Sequence, residues 1–402
     1  MDSSTSGHAR RRLRRLTAAL AVAGLCTLSA CTGSNGGSAQ SRDGGHAPDT
    51  ATITSPRNGA TDVPAGTQLR VSGPEAASAQ VTLTDDAGGT VSGGPGYDAN
   101  TWVPKSELKY GTHYTATVTA GGKHSSISFT TMAEPNASNQ VRVQSAMGDG
   151  QVFGIGMPFV LTLGHSVTKD QRAAVEKRLS VTSTPSQPGS WYWMSDHEIH
   201  YRPKSYWQPG THLLLDAKTG GVPFGNGYYG RNDITVDASI TPHSLEIVTD
   251  DKTHMLTVYQ DGKATKKMPA SLGRKGHESS SGAMVIMTRK PSEIFDSSLG
   301  TGGIPVNAPG GYKLLVYWTM RLTWSGQFIH AAPWSVASQG HTDVSHGCTN
   351  ISTANAKWIY DNSHIGDPVT VKNTGKPLVW GNGWTDWNMS WADYQKGSAL
   401  HG

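Results

Sequence analysis

The chain has 402 residues, of which 36% are hydrophobic, 16% charged, 48 glycine and 21 proline, enough for two or three domains with separate cores. Low charge and abundant turn formers exclude a coiled coil, a multi-span membrane protein and a highly charged disordered chain, and point to a mainly β fold. The formal charge of +4 lies wholly in residues 1–30, which hold five arginines and one aspartate; the neutral remainder offers no electrostatic basis for binding nucleic acid.

Residues 1–30 read as an export signal. Arg10, Arg11, Arg12, Arg14 and Arg15 precede an apolar run from Leu16 to Leu25, too short for a comfortable membrane span and suited to a signal-peptide core. The following Leu28-Ser29-Ala30-Cys31 resembles the lipobox of bacterial lipoproteins, which implies cleavage before Cys31, its lipidation, and an anchor on the outer face of the cytoplasmic membrane. An ordinary secretory signal cut near Ala30 is the alternative, and the paired arginines leave the export route open. Residues 31–50 are rich in glycine and serine and are expected to be a flexible tether.

Residues 51–133 alternate apolar and polar side chains in short runs such as Val81-Thr82-Leu83-Thr84 and Tyr114-Thr115-Ala116-Thr117-Val118, separated by Gly88-Gly89 and Gly121-Gly122. This is the pattern of a β-sandwich. Pro104-Lys105-Ser106 followed after four residues by Gly111-Thr112-His113 recurs as Pro203-Lys204-Ser205 and Gly210-Thr211-His212. The repeat predicts a second immunoglobulin-like module over residues 134–242. Within it Thr168 is the expected N-cap of a short helix, with Gln171 at the third position and Ala174, Val175 and Leu179 behind.

A third domain is expected over residues 243–373. Leu245-Glu246-Ile247-Val248 and Met255-Leu256-Thr257-Val258-Tyr259 read as strands, and Asp261-Gly262 as a type I′ hairpin turn. Further strands are expected near residues 283–288 and 313–318, then a helix from Thr353 to Asn362 capped by Ser352, and a last strand at Val369-Thr370-Val371. Trp380, Trp384, Trp387 and Trp391, four of twelve tryptophans, have the spacing of one helix face and are expected to bury a small subdomain, residues 374–402, against this third domain.

With Cys26 in the signal and Cys31 at the lipid site, Cys348 is a solitary thiol in an exported protein. Count alone leaves burial and catalysis open. Its neighbours Ser345-His346-Gly347-Cys348-Thr349-Asn350 put it after a glycine that permits a tight turn, ahead of a helix. Such a turn exposes the sulfur and directs its own backbone N–H at a developing oxyanion. A nucleophilic thiol needs a base, for which His330, His341 and His346 are candidates, and it is expected to be accessible and partly ionised.

Phe328-Ile329-His330-Ala331-Ala332-Pro333-Trp334-Ser335, Gly340-His341-Thr342 and Ser345-His346-Gly347-Cys348-Thr349-Asn350-Ile351-Ser352 together resemble the signature of L,D-transpeptidases, and residues 244–372 are similar to their catalytic domain. The two preceding modules look like the paired immunoglobulin-like domains of actinobacterial members. The resemblance implies a cysteine thioester formed from a tetrapeptide stem of peptidoglycan with release of D-alanine, resolved by the amine of an acceptor stem to give a 3→3 cross-link. It makes Cys348 the nucleophile and His330 its base, held through the backbone carbonyl of Ala331, where the family often has a serine. Tyr312 matches the family's tyrosine near the oxyanion, with core packing as the alternative. Gly347 belongs with the catalytic set as the turn before the nucleophile, Ser345, His346 and Asn350 are expected to brace the loop, Trp334 to support the site, and His341 to be either a brace or a substrate contact. Carbapenem β-lactams are expected covalent inhibitors.

The histidine spacing fits no zinc signature, so no metal and no cofactor is expected. Two other functions use the same residues differently. A cysteine L,D-carboxypeptidase would pass the acyl group to water, and a non-catalytic wall-binding lipoprotein would not react at Cys348.

Overall fold

The computed structural model describes residues 50–299 and 303–401; the expected signal peptide, Cys31 and nearly all of the tether lie outside the described residues. Strand alternation builds the first module. Strands Thr52–Ser55, Leu69–Ser72, Thr101–Pro104 and Gly93–Pro95 form one sheet, and Ala60–Val63, Lys123–Thr131, His113–Ala120, Gln80–Asp85 and Thr90–Val91 the other. Tyr114, Ala116 and Val118 take alternate positions of one strand and are buried with Leu69, Leu83 and Phe129, as a period of two requires. The second module has a larger core around Phe159, Leu161, Trp207, Leu213 and Leu215.

The repeated phrase marks the crossing from one sheet to the other in both modules. Pro104 and Pro203 end a strand of one sheet, and His113 and His212 open a strand of the other. Gly111 and Gly210 turn the chain at φ +58° and +78°, the region open to glycine. Between them Leu108 and Trp207 are buried plugs whose N–H groups donate to Ala65 O and Ile155 O, each at 2.9 Å. The helix expected at Thr168 starts later and is short, Arg172–Glu176, with no side-chain cap. Thr168 instead donates its hydroxyl to Phe224 O, a bond to the Pro223–Gly225 strand in place of a helix cap.

In the third domain one mixed sheet runs Lys263–Pro269, Met255–Gln260, Leu245–Asp250, Pro368–Lys372, Gly282–Val285. A second runs Thr288–Asp296, Lys313–Arg321, Phe328–Ala331, Thr349–Ile351. Asp261 and Gly262 both have positive φ, +47° and +74°, and join strands paired from Gln260 to Lys263, as a type I′ turn demands. The helix Thr353–Asn362 begins at Ser352, whose hydroxyl accepts from Asn355 N, and buries Ala356 and Ile359 in the core with Ile329 and Ile351.

The second module and the third domain are not separate bodies. Val285, Met287 and Trp384 belong to the second module's hydrophobic core. Gly154 donates to Ile365 O at 2.8 Å, and a side chain there would strike Asp367 N at 2.2 Å; only glycine allows this approach.

The tail differs from expectation in two respects. Its tryptophans do not share a helix face: Trp387 lies in a 3-10 turn, Asp386–Asn388, and Trp391 opens a separate helix, Trp391–Gln395. Polar anchors, not a continuous apolar stripe, determine the path. The tail does touch the third domain, through Leu378 N to Ser281 O, but it packs equally on the second module. His200, fully buried, places Nδ1 2.9 Å from Asp386 and Nε2 2.9 Å from Glu198. Arg202 lies over the rings of Trp387, Trp391 and Tyr394, and Glu176 accepts from Ala399 N.

Since a carboxylate oxygen only accepts, His200 must donate from both nitrogens and is an imidazolium. Burial alone would depress its pKa, but Asp386 and Glu198 outweigh burial and lift it to about 9. Burial works to raise Asp386, and the charge and bond of His200 hold it below the usual carboxylate range. The His200 contribution, on the order of 3 kcal/mol, is therefore complete below about pH 6.5 and is lost between there and about pH 9. Asp386→Asn is expected to cost about 3–5 kcal/mol, and the melting-temperature gap to the wild type should narrow steadily from pH 6.5 to 9. A gap that widens over that range would exclude the charged latch.

Candidate active site

Three consecutive parallel pairs, Ile329 with Thr349, His330 with Asn350 and Ala331 with Ile351, set the histidine strand beside the strand that follows Cys348. All six side chains are buried. Gly347 has φ +123° and an added Cβ would meet nothing nearer than His277 O at 3.7 Å, so backbone conformation rather than space selects glycine here.

The loop before Cys348 is stapled from within and from outside. Ser345 Oγ donates to Cys348 O at 2.7 Å and accepts from Gly347 N at 3.0 Å. Ser279 Oγ donates to Gly347 O at 2.8 Å and accepts from Gly273 N at 3.0 Å. Arg274 N donates to Ser345 O. Among the described residues nothing accepts the Cys348 backbone N–H, which leaves that donor for an incoming oxygen.

His330 is 3% exposed and its Nδ1 lies 3.0 Å from Ala331 O. A carbonyl only accepts, so Nδ1 bears the hydrogen and Nε2 keeps a lone pair. Phe295 meets the ring edge-on at 5.3 Å, and Trp334, itself 57% exposed, stacks at 6.0 Å. Burial depresses the imidazole pKa to about 4, against the pull of the Ala331 bond.

Cys348 is half-buried. Burial pushes its thiol up to about 11, opposed by the Phe328 backbone and the charge of Arg321, and Sγ donates to Gly326 O at 3.6 Å. The expectation of a partly ionised thiol is therefore corrected: at neutral pH the resting pair is a thiol and a neutral imidazole. Burial disfavours both charged forms.

A cavity of about 750 Å³ opens beside this pair, lined by Phe295, Tyr312, Arg321, Trp324, Gly326, Phe328 and His346 among others. Tyr312 donates its backbone N–H to Ser297 Oγ. Burial and the neighbouring Cys348 raise its pKa, so it remains a phenol. His346 lies 5.2 Å from Tyr312 with the two rings tilted and accepts through Nε2 from Arg274 at 2.8 Å; burial, then Arg274 and His277, lower its pKa. Asn350 donates from Nδ2 to Ser335 Oγ at 3.2 Å, fixing the two strands to the turn at Pro333–Ser335. His341 is exposed in a turn and does not line the cavity.

One further grouping bears on the histidines. Asp251, His254 and Asp343 hold their ligating atoms within 4.8 Å of one another, and neither His330, His341 nor His346 belongs to it. Asp343 accepts from Leu272 N at 2.6 Å, which ties the nucleophile loop to the segment that follows the Lys263–Pro269 strand. Arg321, Phe295, Ser279, Arg274 and Gly326 were not singled out from the sequence. They come from strands and turns far from the motif, and no local pattern marks them.

The raised thiol pKa has a direct consequence. The rate of Cys348 alkylation by iodoacetamide should rise about tenfold per pH unit from 7 to 10 without levelling. A plateau near pH 7 would mean an ion pair at rest.

Residues 60–223 match the bacterial Ig domain family and residues 244–371 the L,D-transpeptidase catalytic domain family. L,D-transpeptidase 2 of Mycobacterium tuberculosis (strain CDC 1551 / Oshkosh) is 34% identical over 352 residues, covering 87% of this chain and 84% of the relative. L,D-transpeptidase 5 of M. tuberculosis (strain ATCC 25618 / H37Rv) is 31% identical over 335 residues, covering 80% and 71%. A solved L,D-transpeptidase in complex with imipenem is 33% identical, covers 57% of this chain and 97% of its own, and superposes with a TM-score of 0.49. By its matched domains and the extent of these relatives, the chain belongs to the L,D-transpeptidase family of acyltransferases.

Proposed function

We propose that this enzyme forms 3→3 cross-links in peptidoglycan by transferring a stem tripeptide from a tetrapeptide donor, through Cys348, to the side-chain amine of an acceptor stem. The observation that carries this is the His330–Ala331 bond, which commits Nδ1 as donor and leaves Nε2 as the base on the strand next to the thiol. Moving the proton from a thiol near 11 to an imidazole near 4 costs on the order of 9 kcal/mol before the attraction between the resulting charges is counted. Proton transfer therefore accompanies attack rather than preceding it.

Sγ bonds to the carbonyl carbon at the L-centre of the third residue as its proton passes to His330 Nε2. The Cys348 N–H and the Tyr312 hydroxyl receive the oxyanion. When the carbon–nitrogen bond breaks, the imidazolium returns the proton to the departing amine of D-alanine, leaving a thioester. An acceptor amine then attacks the thioester, His330 takes its proton, and the sulfur leaves and recovers that proton. Ser345, Ser279, Asn350 and Gly347 hold the loop in the shape this requires. A strained β-lactam carbonyl meets the same sulfur, so carbapenems acylate Cys348. The signal-like residues 1–31 support an enzyme lipid-anchored outside the cytoplasmic membrane, with the two sandwich modules spacing the site toward the wall.

With a defined tetrapeptide donor and acceptor, Cys348→Ala is expected to abolish 3→3 product and the mass increment from a carbapenem. His330→Gln should slow acylation about 10²- to 10⁴-fold and Tyr312→Phe about 10²-fold. Cross-linked product from Cys348→Ala would overturn the assignment; release of tripeptide without cross-link by the wild type would favour a hydrolase.

A further inference from the structure

The cavity carries two carboxylates that are already neutralised. Glu293 pairs with Lys290 at 2.6 Å and Asp296 with Lys313 at 3.2 Å. Arg321 lines the same cavity with no carboxylate at ion-pair distance among the described residues. Its Nε and one terminal nitrogen donate to Thr323 O and Trp324 O, each at 2.9 Å, and its guanidinium lies 5.0 Å from the Phe328 ring. The other terminal nitrogen has no acceptor among these residues. A half-buried guanidinium bonded only to carbonyls keeps its full charge, and a low-dielectric cavity makes that charge a strong attractor for an anion.

Arg321 is also linked from two directions to groups that touch the sulfur. It pairs across the sheet with Phe328, whose backbone bears on the Cys348 thiol. The turn that its two bonds hold ends at Gly326, whose carbonyl accepts from Sγ. In a donor that loses one terminal amino acid, only the amide nitrogen and one Cα separate the scissile carbonyl from the terminal carboxylate. Those bond lengths put the carboxylate carbon within about 4 Å of the carbon under attack. A group that recognises the carboxylate must therefore stand beside the nucleophile.

Taking the acyl transfer proposed above as the reaction, we propose that Arg321 binds the terminal carboxylate of the leaving residue and so restricts the donor to stems ending one residue beyond the scissile bond. The free terminal nitrogen, together with the second hydrogen of its neighbour, offers the paired donors that a carboxylate accepts. A longer stem would bring a neutral peptide group there and leave the guanidinium without its counter-ion.

The test uses the full-length protein, a fixed acceptor and two synthetic stem tetrapeptides that differ only in ending as D-alanine or as D-alaninamide. The wild type is expected to prefer the acid by about ten- to a hundredfold in kcat/KM. Arg321→Gln should bring that ratio close to one, and Arg321→Lys should retain part of it. Equal use of acid and amide by the wild type overturns the inference and needs no variant that might misfold. An undiminished ratio in a folded Arg321→Gln protein that is slowed on both donors also overturns it, since that is how a merely structural arginine behaves. Reaction of the wild type with neither donor would instead remove the acyl-transfer proposal itself.

Discussion

Three residues of parallel strand pairing govern the chemistry of this protein. The ladder from Ile329 to Ala331 against Thr349 to Ile351 brings together a histidine and a cysteine that are 18 positions apart, and it releases the chain just before the thiol. Everything else at the site refines that placement. The Ala331 carbonyl selects the imidazole tautomer, Gly347 supplies the turn, and Ser345 and Ser279 lock the loop from opposite sides. Because the ladder is buried on both strands, its geometry is as rigid as the core it belongs to.

Burial also decides the resting charge state. The environment that fixes His330 and Cys348 removes water from both, and desolvation holds each neutral. The reactive charge is thereby postponed until a substrate carbonyl is present to receive it. An idle thiol kept protonated is also less prone to oxidation, which protects a cysteine that forms no disulfide.

Where the chain itself encodes local geometry, the sequence was legible. Alternation in Tyr114, Ala116 and Val118, the Asp261-Gly262 turn and the Ser352 cap all depend on a few adjacent residues, and all have their expected form. The repeated phrase was legible as an echo, although its role as a sheet-to-sheet crossing needed coordinates. What escaped depends on distant partners. Thr168 was drawn from its helix by Phe224, and the tail tryptophans were organised by His200, Arg202 and Gly156 rather than by their own spacing. The cavity is a product of the long hairpin Thr288–Asp296 and Lys313–Arg321, whose inward face includes Arg321; an arginine at the end of a strand carries no mark of that position. The thiol's protonation was missed for the same reason, since desolvation belongs to the whole fold.

Two buried groups of the second sandwich have further partners in residues 386–399. Glu176 and His200 are answered by Ala399 and Asp386, roughly two hundred residues downstream. A chain emerging amino-terminus first can close its first sandwich at once, but the second, where Trp193 and Glu198 already meet Glu176 and His200, completes these bonds only when residues 386–399 arrive. Completion of the catalytic unit is thus coupled to delivery of residues 386–399, and a product that stops short of them would lack the clasp that joins the second sandwich to the segment after the catalytic domain.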